Sequence, residues 1–423
     1  MMLGHCDRAL DTARAGTRRW SIWVPGRVEL LGKHTDYAGG RSLLCALERG
    51  FCVRAAGRKD ALVRVMDVAG GGRFEMSLGE STPRTGTAWE GYVATLVRRV
   101  SRDLPVVKRG VDLAFASDLP QAAGMSSSSA LMIAVFIALS KSNDLRSSEE
   151  FRRMVSTHEE LAAYLGAVES GEPYGRLLAD VGVGTLGGAQ DHTAILCSEA
   201  GQIVRYAFIP VRREAIVEFP RRHTLVIAVS GVIAEKTGST QSDYNRVSAT
   251  VRRLVDAWNR ETGRHDASLA EAVGSAPDAA ERLRAVTQRL ADAGVTPEFA
   301  RRRLDQFLCE TYEFIPAATD ALQRQVMGEL GVIVDRSQEL AEKLLGNQVP
   351  QTIALQRHAR ELGAVAASSF GAGFGGSVWA MVPDSLAHHF ADDWGAKYRQ
   401  AYPGLAARSM FFTSPPGPHA LQW

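Results

Sequence analysis

Residues 120–130, PQAAGMSSSSA, place one glycine and four consecutive serines where a strand-like run gives way to an apolar helical one. Backbone that can pass close to a ligand, with unpaired N–H groups and the positive end of a helix dipole aimed at one point, is a site for phosphate. Serine is also a good helix cap, and capping alone would account for one or two of these hydroxyls. The loop contains no lysine, so positive charge on a phosphate has to come from Mg2+ and from elsewhere in the chain. Residues 26–33 superficially resemble a Walker A loop. Their glycines are separated by five residues instead of four, and His34 stands where Ser or Thr would hold magnesium, so that reading fails.

Three further stretches carry chemistry. The turn at residues 32–40 packs Lys33, His34, Asp36 and Tyr37 close together. His34 and Asp36 lack the partner cluster a metal needs, which leaves a solvated turn or a set of hydrogen-bonding groups for a polyhydroxylated ligand. A glycine-rich passage at 182–190 ends on Asp191. Such an Asp is either a helix cap or, beside a transferable phosphate, the carboxylate that orients and deprotonates an acceptor hydroxyl. The last passage, 370–376, is either a hairpin turn or one more backbone converging on the same ligand.

The elements that must position these residues follow from periodicity. Short alternating apolar segments at 21–24, 42–47, 51–55 and 62–66 predict a β-rich first half. Helices are expected at 89–100, after the serine loop, and over 151–168. Strands are expected at 111–116, 223–229 and 377–382. Residues 242–348 read as mostly helical and arginine-rich. That change of character divides the chain into domains at 19–215 and 216–423, which its 423 residues also favour. Residues 1–20 read as a frayed, arginine-rich lead-in.

Composition excludes several classes. With 49 basic against 47 acidic residues and no basic block, nothing favours nucleic acid or an anionic membrane. The longest apolar run, 131–139, is far short of a bilayer span, and the N-terminal residues lack a signal-peptide core. Five scattered cysteines point to free thiols in a reducing cytoplasm.

In sum these residues resemble a known family. The stretch PGRVELLGKHTDYAGG at 25–40 looks like the galactokinase signature, which typically reads PGRVNLIGEHTDYNGG. Residues 120–130 and 369–376 are similar to the second and third motifs of the GHMP small-molecule kinases, GGAQD at 187–191 to the segment CGIMD, and WEGYV at 89–93 to W-x-N-Y-V. Tyr244 stands where the family has a Tyr, and residues 303–310 resemble a later helix of the family. The resemblance implies an α+β, two-domain GHMP kinase fold, with an N-terminal ribosomal-protein-S5-like domain and a C-terminal ferredoxin-like α/β domain. The active site would lie in the cleft between them, with ATP, Mg2+ and a sugar as ligands.

By that resemblance Asp191 is the base or orienting carboxylate and Arg27 stabilises charge beside the γ-phosphate. Lys33, His34, Asp36, Gly188 and Tyr244 hold the sugar. Trp89 packs near adenine, Gly124, Met125, Ser126, Ser127 and Ser128 wrap the phosphates, and Gly373 closes the site. Ser128 lies near Mg2+. The family's metal-binding glutamate is displaced here, since Ala179 occupies its place, and Glu169 is the expected substitute, with Glu172 and Asp180 as alternatives. The largest departure is Lys33 in place of glutamate. A cation where the family has an acceptor predicts a sugar anionic at C6, such as galacturonate, with galactose retained. Other readings are a GHMP kinase for arabinose, another uronic acid or a heptose phosphate, and a sugar sensor without turnover.

Overall fold

Arg41–Gly57 is a 17-residue strand, long enough to take two partners along one edge. A computed structural model describes residues 2–80, 89–234, 241–290 and 295–422. Along one side this strand pairs with Arg19–Leu31. Along the other its start pairs with Gln202–Ala207 and its end with Val111–Ser117. Leu62–Asp67, Arg73–Ser77, Arg212–Glu218 and the terminal Leu421–Gln422 complete an eight-stranded sheet. Among the described residues of this sheet, only the pairing of Leu62–Asp67 with Val111–Ser117 is parallel.

The register between the first two long strands slips between Pro25 and Arg27 and again between Glu29 and Leu31. A bulge of this kind adds a residue to one strand and re-aims the side chains beside it. Val28, Leu30 and Leu31 enter the apolar core, while Arg27 and Glu29 are buried on its polar side. The helix Ser127–Asn143 is apolar almost all round and packs across this sheet, as an enclosed helix must.

A second sheet orders Met410–Thr413, His223–Val229, Ser377–Pro383 and Ala366–Phe370, antiparallel throughout. Between its strands the chain is helical from Gln241–Thr262 to Pro350–Glu361, as the arginine-rich pattern predicted. The architecture is thus the expected α+β one. The last strand crosses back to pair with Arg19–Leu31, so the chain after residue 216 contributes to both sheets. No described helix is long and apolar enough to cross a membrane.

Two expectations are corrected. Residues 2–12 form a helix rather than a frayed end: Cys6 and Leu10 are buried against Met66, Ala114 and Ala116. Burying Leu10 contributes about 1.5–3 kcal/mol, and a chain end so anchored does not fray. The single helix expected over 151–168 is two, Glu149–Met154 and His158–Ser170. The second begins with a capping box in which the Thr157 hydroxyl accepts from the Glu160 N–H and the Glu160 carboxylate accepts from the Thr157 N–H. Thr157→Ala should therefore lower unfolding free energy by about 1 kcal/mol. Thermal denaturation at neutral pH checks this, and an unchanged midpoint would show that packing alone sets the break.

Candidate active site

Arg27 is 1% exposed and ties two functional stretches together. Its Nε and Nη2 reach Asp191 Oδ1 at 2.8 and 2.7 Å, and its Nη1 donates to the Gly124 carbonyl at 2.5 Å. Asp191 lies in the first turn of the buried helix Gln190–Cys197, where the helix dipole favours a carboxylate. Gly26 permits this arrangement, since a Cβ there would sit 2.7 Å from the Leu119 side chain and 3.1 Å from the Met125 carbonyl.

The turn after this strand supplies the next groups. His34 Nε2 lies 3.0 Å from the Ala372 carbonyl, which can only accept, so Nε2 carries the proton and Nδ1 accepts from the Tyr37 hydroxyl at 2.8 Å. The Asp36 carboxylate accepts from the Gln190 N–H at 3.1 Å. A Cβ at Gly188 would come within 2.7 Å of the Asp36 carboxyl carbon, so that close approach needs glycine. Tyr244, from Gln241–Thr262, packs its ring 5.4 Å from that of His34. Arg27, His34, Asp36, Glu169, Gly188, Asp191, Tyr244 and Gly371 line one narrow cavity. Its open space is about 30 Å3, room for about one water.

A second cavity of about 390 Å3 lies on the other side of the serine loop. Trp89, Tyr92, Phe115 and Leu131 give it an apolar wall, and Gly124, Met125, Ser126, Ser127 and Ser128 form its rim. Ser126 caps the helix Ser127–Asn143 in a left-handed conformation with φ of 61°. Its hydroxyl is buried and has no hydrogen-bond partner. An unsatisfied hydroxyl at the open N-terminus of a long helix fits an anion that is yet to bind.

Glu169 ends the helix His158–Ser170 and accepts from Ser129, in the first turn of the serine-loop helix, at 2.9 Å. Its Oε2 is also 3.4 Å from His192 Nε2. The two alternatives face elsewhere: Glu172 pairs with Arg252 at 2.5 Å, and Asp180 with Arg98 and Arg102 at 3.4 Å.

Two expected site residues lie apart from these cavities. Gly373 lines neither, because it packs against Asn347, and Gly371 and Ala372 reach the narrow cavity instead. Lys33 is 1% exposed, is not in the cavity wall, and donates from Nζ to Ser368 Oγ at 2.8 Å. Ser368 belongs to Ala366–Phe370, so this side chain is turned toward the second sheet. The five cysteines are free and scattered through the fold, and burial pushes the Cys45 thiol up to about 12, so it is an inert packing group.

Sequence reasoning missed what holds the turn in place. Arg303 donates to the His34 carbonyl, Gln306 to the Lys33 carbonyl at 3.2 Å, and the Glu310 carboxylate accepts from the Gly32 N–H at 2.8 Å. It also missed Glu29, wholly buried, with neither carboxyl oxygen hydrogen-bonded. The available signal was its own position, where the signature has asparagine.

Comparison with known proteins gives the family. The family model described as the galactokinase galactose-binding signature matches residues 13–57, the segment that carries Arg27, His34 and Asp36. The chain belongs to the galactokinase family of GHMP kinases. The GHMP kinase N-terminal and C-terminal models match residues 91–188 and 318–400. A galactokinase of Actinobacillus pleuropneumoniae serotype 3 is 26% identical over 380 residues, covering 87% of this chain and 86% of that protein. One of Chloroflexus aggregans is 40% identical over 113 residues, 26% of this chain and 28% of its own. In fold, the crystal structure of Lactococcus lactis galactokinase complexed with galactose superposes with a TM-score of 0.79, at 21% identity, covering 99% of this chain and 98% of that one. A Methanococcus jannaschii mevalonate kinase shares the fold at 0.57 and 15% identity, covering 95% and 99%. As a member of this family the protein is a galactokinase-type sugar kinase.

Glu29 has a measurable signature in stability. Burial, opposed most by Lys33, raises its carboxyl from the ordinary 4.5 to about 8. A carboxyl whose folded value lies above its unfolded one holds its proton more tightly when folded. Its stabilising contribution is therefore complete below about 4.5 and is lost as pH rises through about 8. Glu29→Gln, which cannot ionise, should lose less stability than the wild type between those limits. Denaturant midpoints measured across that range test it, and parallel curves would place the proton elsewhere.

Proposed function

We propose that the protein transfers the γ-phosphoryl group of ATP to the C1 hydroxyl of galactose. The observation that carries this reading is the contact of Arg27 with both Asp191 and the Gly124 carbonyl, because it sets an acceptor-orienting carboxylate against the phosphate loop. The sugar would occupy the cavity of His34, Asp36, Gly188 and Tyr244, and ATP the larger one, with its base against Trp89 and its phosphates along Gly124 to Ser128. We assign the chain up to about residue 215 to the half that supplies these groups, and the chain from 216 to the half that supplies Tyr244 and the last glycine loop.

Paired with Arg27, Asp191 is held as a carboxylate that accepts the C1 hydroxyl proton and fixes that oxygen in line with the phosphorus. The guanidinium faces the charge that spreads over the transferring group. Direct transfer needs positioning and charge neutralisation, with no covalent enzyme intermediate. The donor set fits Mg2+, which favours a carboxylate or two with substrate phosphates completing its shell. Glu169 and Ser128 are the residues that would hold it, and the ion when bound would neutralise phosphate charge. The His34 to Ala372 bond spans the narrow cavity, so its two walls part to admit a hexose.

Lys33, as placed, does not support a sugar anionic at C6. Its ammonium is buried against Ser368, so we take the neutral hexose as substrate. In an assay coupled to ADP release, kcat/KM should favour galactose over galacturonate. A reversed preference would return Lys33 to the sugar site. Asp191→Asn should lower kcat by orders of magnitude with ATP affinity nearly intact, since the carboxylate touches the acceptor and not the nucleotide. A variant that keeps full turnover would refute the assignment, and one that binds ATP and sugar without any wild-type turnover to compare would favour a sensor.

A further inference from the structure

Two consecutive residues of the helix Met327–Leu340, Ser337 and Gln338, are tied to the two segments that face each other across the narrow cavity. The Ser337 hydroxyl donates to the Glu310 carboxylate at 2.8 Å, and that carboxylate accepts from the Gly32 N–H, where the turn carrying Lys33 and His34 begins. Gln338 is 1% exposed, and its Oε1 accepts from the Ser369 N–H at 3.0 Å and from the hydroxyls of Ser369 and Ser368 at 3.0 and 3.1 Å. A backbone N–H can only donate, so the carbonyl end of this amide faces the strand Ala366–Phe370. The other end donates from Nε2 to Glu342 at 3.1 Å.

The two segments meet at two bonds, Lys33 Nζ to Ser368 Oγ at 2.8 Å and His34 Nε2 to the Ala372 carbonyl at 3.0 Å. We propose that Gln338 is a positioning residue of the sugar site: by accepting the Ser368 hydrogen bond it turns that hydroxyl's lone pairs to Lys33, and this chain docks the turn on the second sheet and keeps the ammonium off the sugar. A serine hydroxyl has one proton and two lone pairs and rotates to suit its neighbours. An ammonium can only donate, so Ser368 must accept there and send its own proton elsewhere. The Gln338 carbonyl is the acceptor that receives it. Bonds aligned in this way strengthen one another in a buried setting, where an ammonium left without an acceptor is costly.

A closed ring of contacts results, running through Gly32, Glu310, Ser337, Gln338, Ser368 and Lys33. The strand Ala366–Phe370 continues directly into Gly371 and Ala372, which line the narrow cavity together with His34. None of the ring residues lines the larger cavity. Losing the Gln338 carbonyl therefore loosens both walls of the sugar site and leaves the serine loop alone. It also frees the Lys33 ammonium, one residue before His34, to turn to the cavity and meet an anionic sugar.

The kinetic part of this inference rests on the sugar kinase reading above; the stability part does not. The experiment takes full-chain Gln338→Leu, Ser368→Ala and their combination, and reads kcat, the KM for galactose and for ATP, the ratio of kcat/KM on galacturonate to that on galactose, and Tm. Gln338→Leu should raise the KM for galactose roughly tenfold, the loss expected when buried donors are left without their acceptor. The KM for ATP should not change, and the galacturonate ratio should rise. Ser368→Ala should do the same and the combination no more, the non-additivity expected within one hydrogen-bond network. Adding Lys33→Met should remove the galacturonate gain. Gln338→Glu, which keeps the acceptor and gives up only the bond to Glu342, should keep the wild-type KM for galactose while lowering Tm. Equal losses on both sugars, additive effects, or a Gln338→Glu as impaired as Gln338→Leu would overturn the proposal. If Gln338→Leu does not fold, Ser368→Ala and Gln338→Glu decide: the first impaired and the second intact supports the proposal, and any other pairing overturns it. If the wild type phosphorylates no sugar, the sugar kinase reading fails, while coupled Tm changes of Ser368→Ala and Gln338→Glu still establish the join and additive ones overturn it.

Discussion

The guanidinium of Arg27 is the constraint on which the rest depends. It is buried, so its charge must be met at once by a carboxylate and by carbonyl oxygen, and Asp191 and Gly124 meet it. Three distant parts of the chain are thereby held together: a bulged strand, the serine loop and the start of a short helix. Removing the Asp191 carboxylate would leave a buried cation partly unsatisfied, a cost of about 3–5 kcal/mol for a broken buried pair. The second sheet completes the enclosure, with the Phe370 ring 5.9 Å from the guanidinium. The side chain that holds the candidate catalytic groups in register thus also meets the second sheet.

Most of the site was legible because its chemistry is written in local runs. A glycine followed by serines before an apolar helix, and an Asp at the end of a glycine passage, keep their meaning whatever surrounds them. The direction of a single side chain does not. Lys33 was expected to meet the sugar because it stands where the galactokinase signature has glutamate, but position in a motif does not say which way a side chain turns, and its ammonium bonds to Ser368 instead. Glu29 was invisible for a related reason. A charged residue alternating with apolar ones in a strand ordinarily faces water, and here both faces of the strand are covered.

The fold shows the same division. Periodicity identified the long central strands and the serine-loop helix but not short or edge strands such as Arg73–Ser77, Gln202–Ala207 and Ala366–Phe370, and the change in composition marked the helical second half. Weak local signals were read too coarsely: Thr157 and Glu160 already spelled a capping box inside what looked like one helix. The helix Met2–Thr12 could not be seen because its stability is tertiary. Its two buried side chains need a sheet that is assembled only from residues later in the chain.

Lysine or arginine charge in the two cavities has a single source among the described residues. No lysine or arginine lines the larger cavity, and Arg27 is the only one of either kind in the wall of the narrow one. With Lys33 turned to Ser368, the phosphates would meet the backbone N–H groups of the serine loop, the dipole of Ser127–Asn143 and the edge of one guanidinium. That guanidinium already bonds to Asp191 Oδ1 at 2.8 and 2.7 Å. In a loose phosphoryl-transfer transition state little nucleophile activation is needed, so a well-placed carboxylate would suffice. On the proposed reading, where Arg27 fixes Asp191 against the acceptor hydroxyl would therefore matter more than how strongly that carboxylate draws the proton.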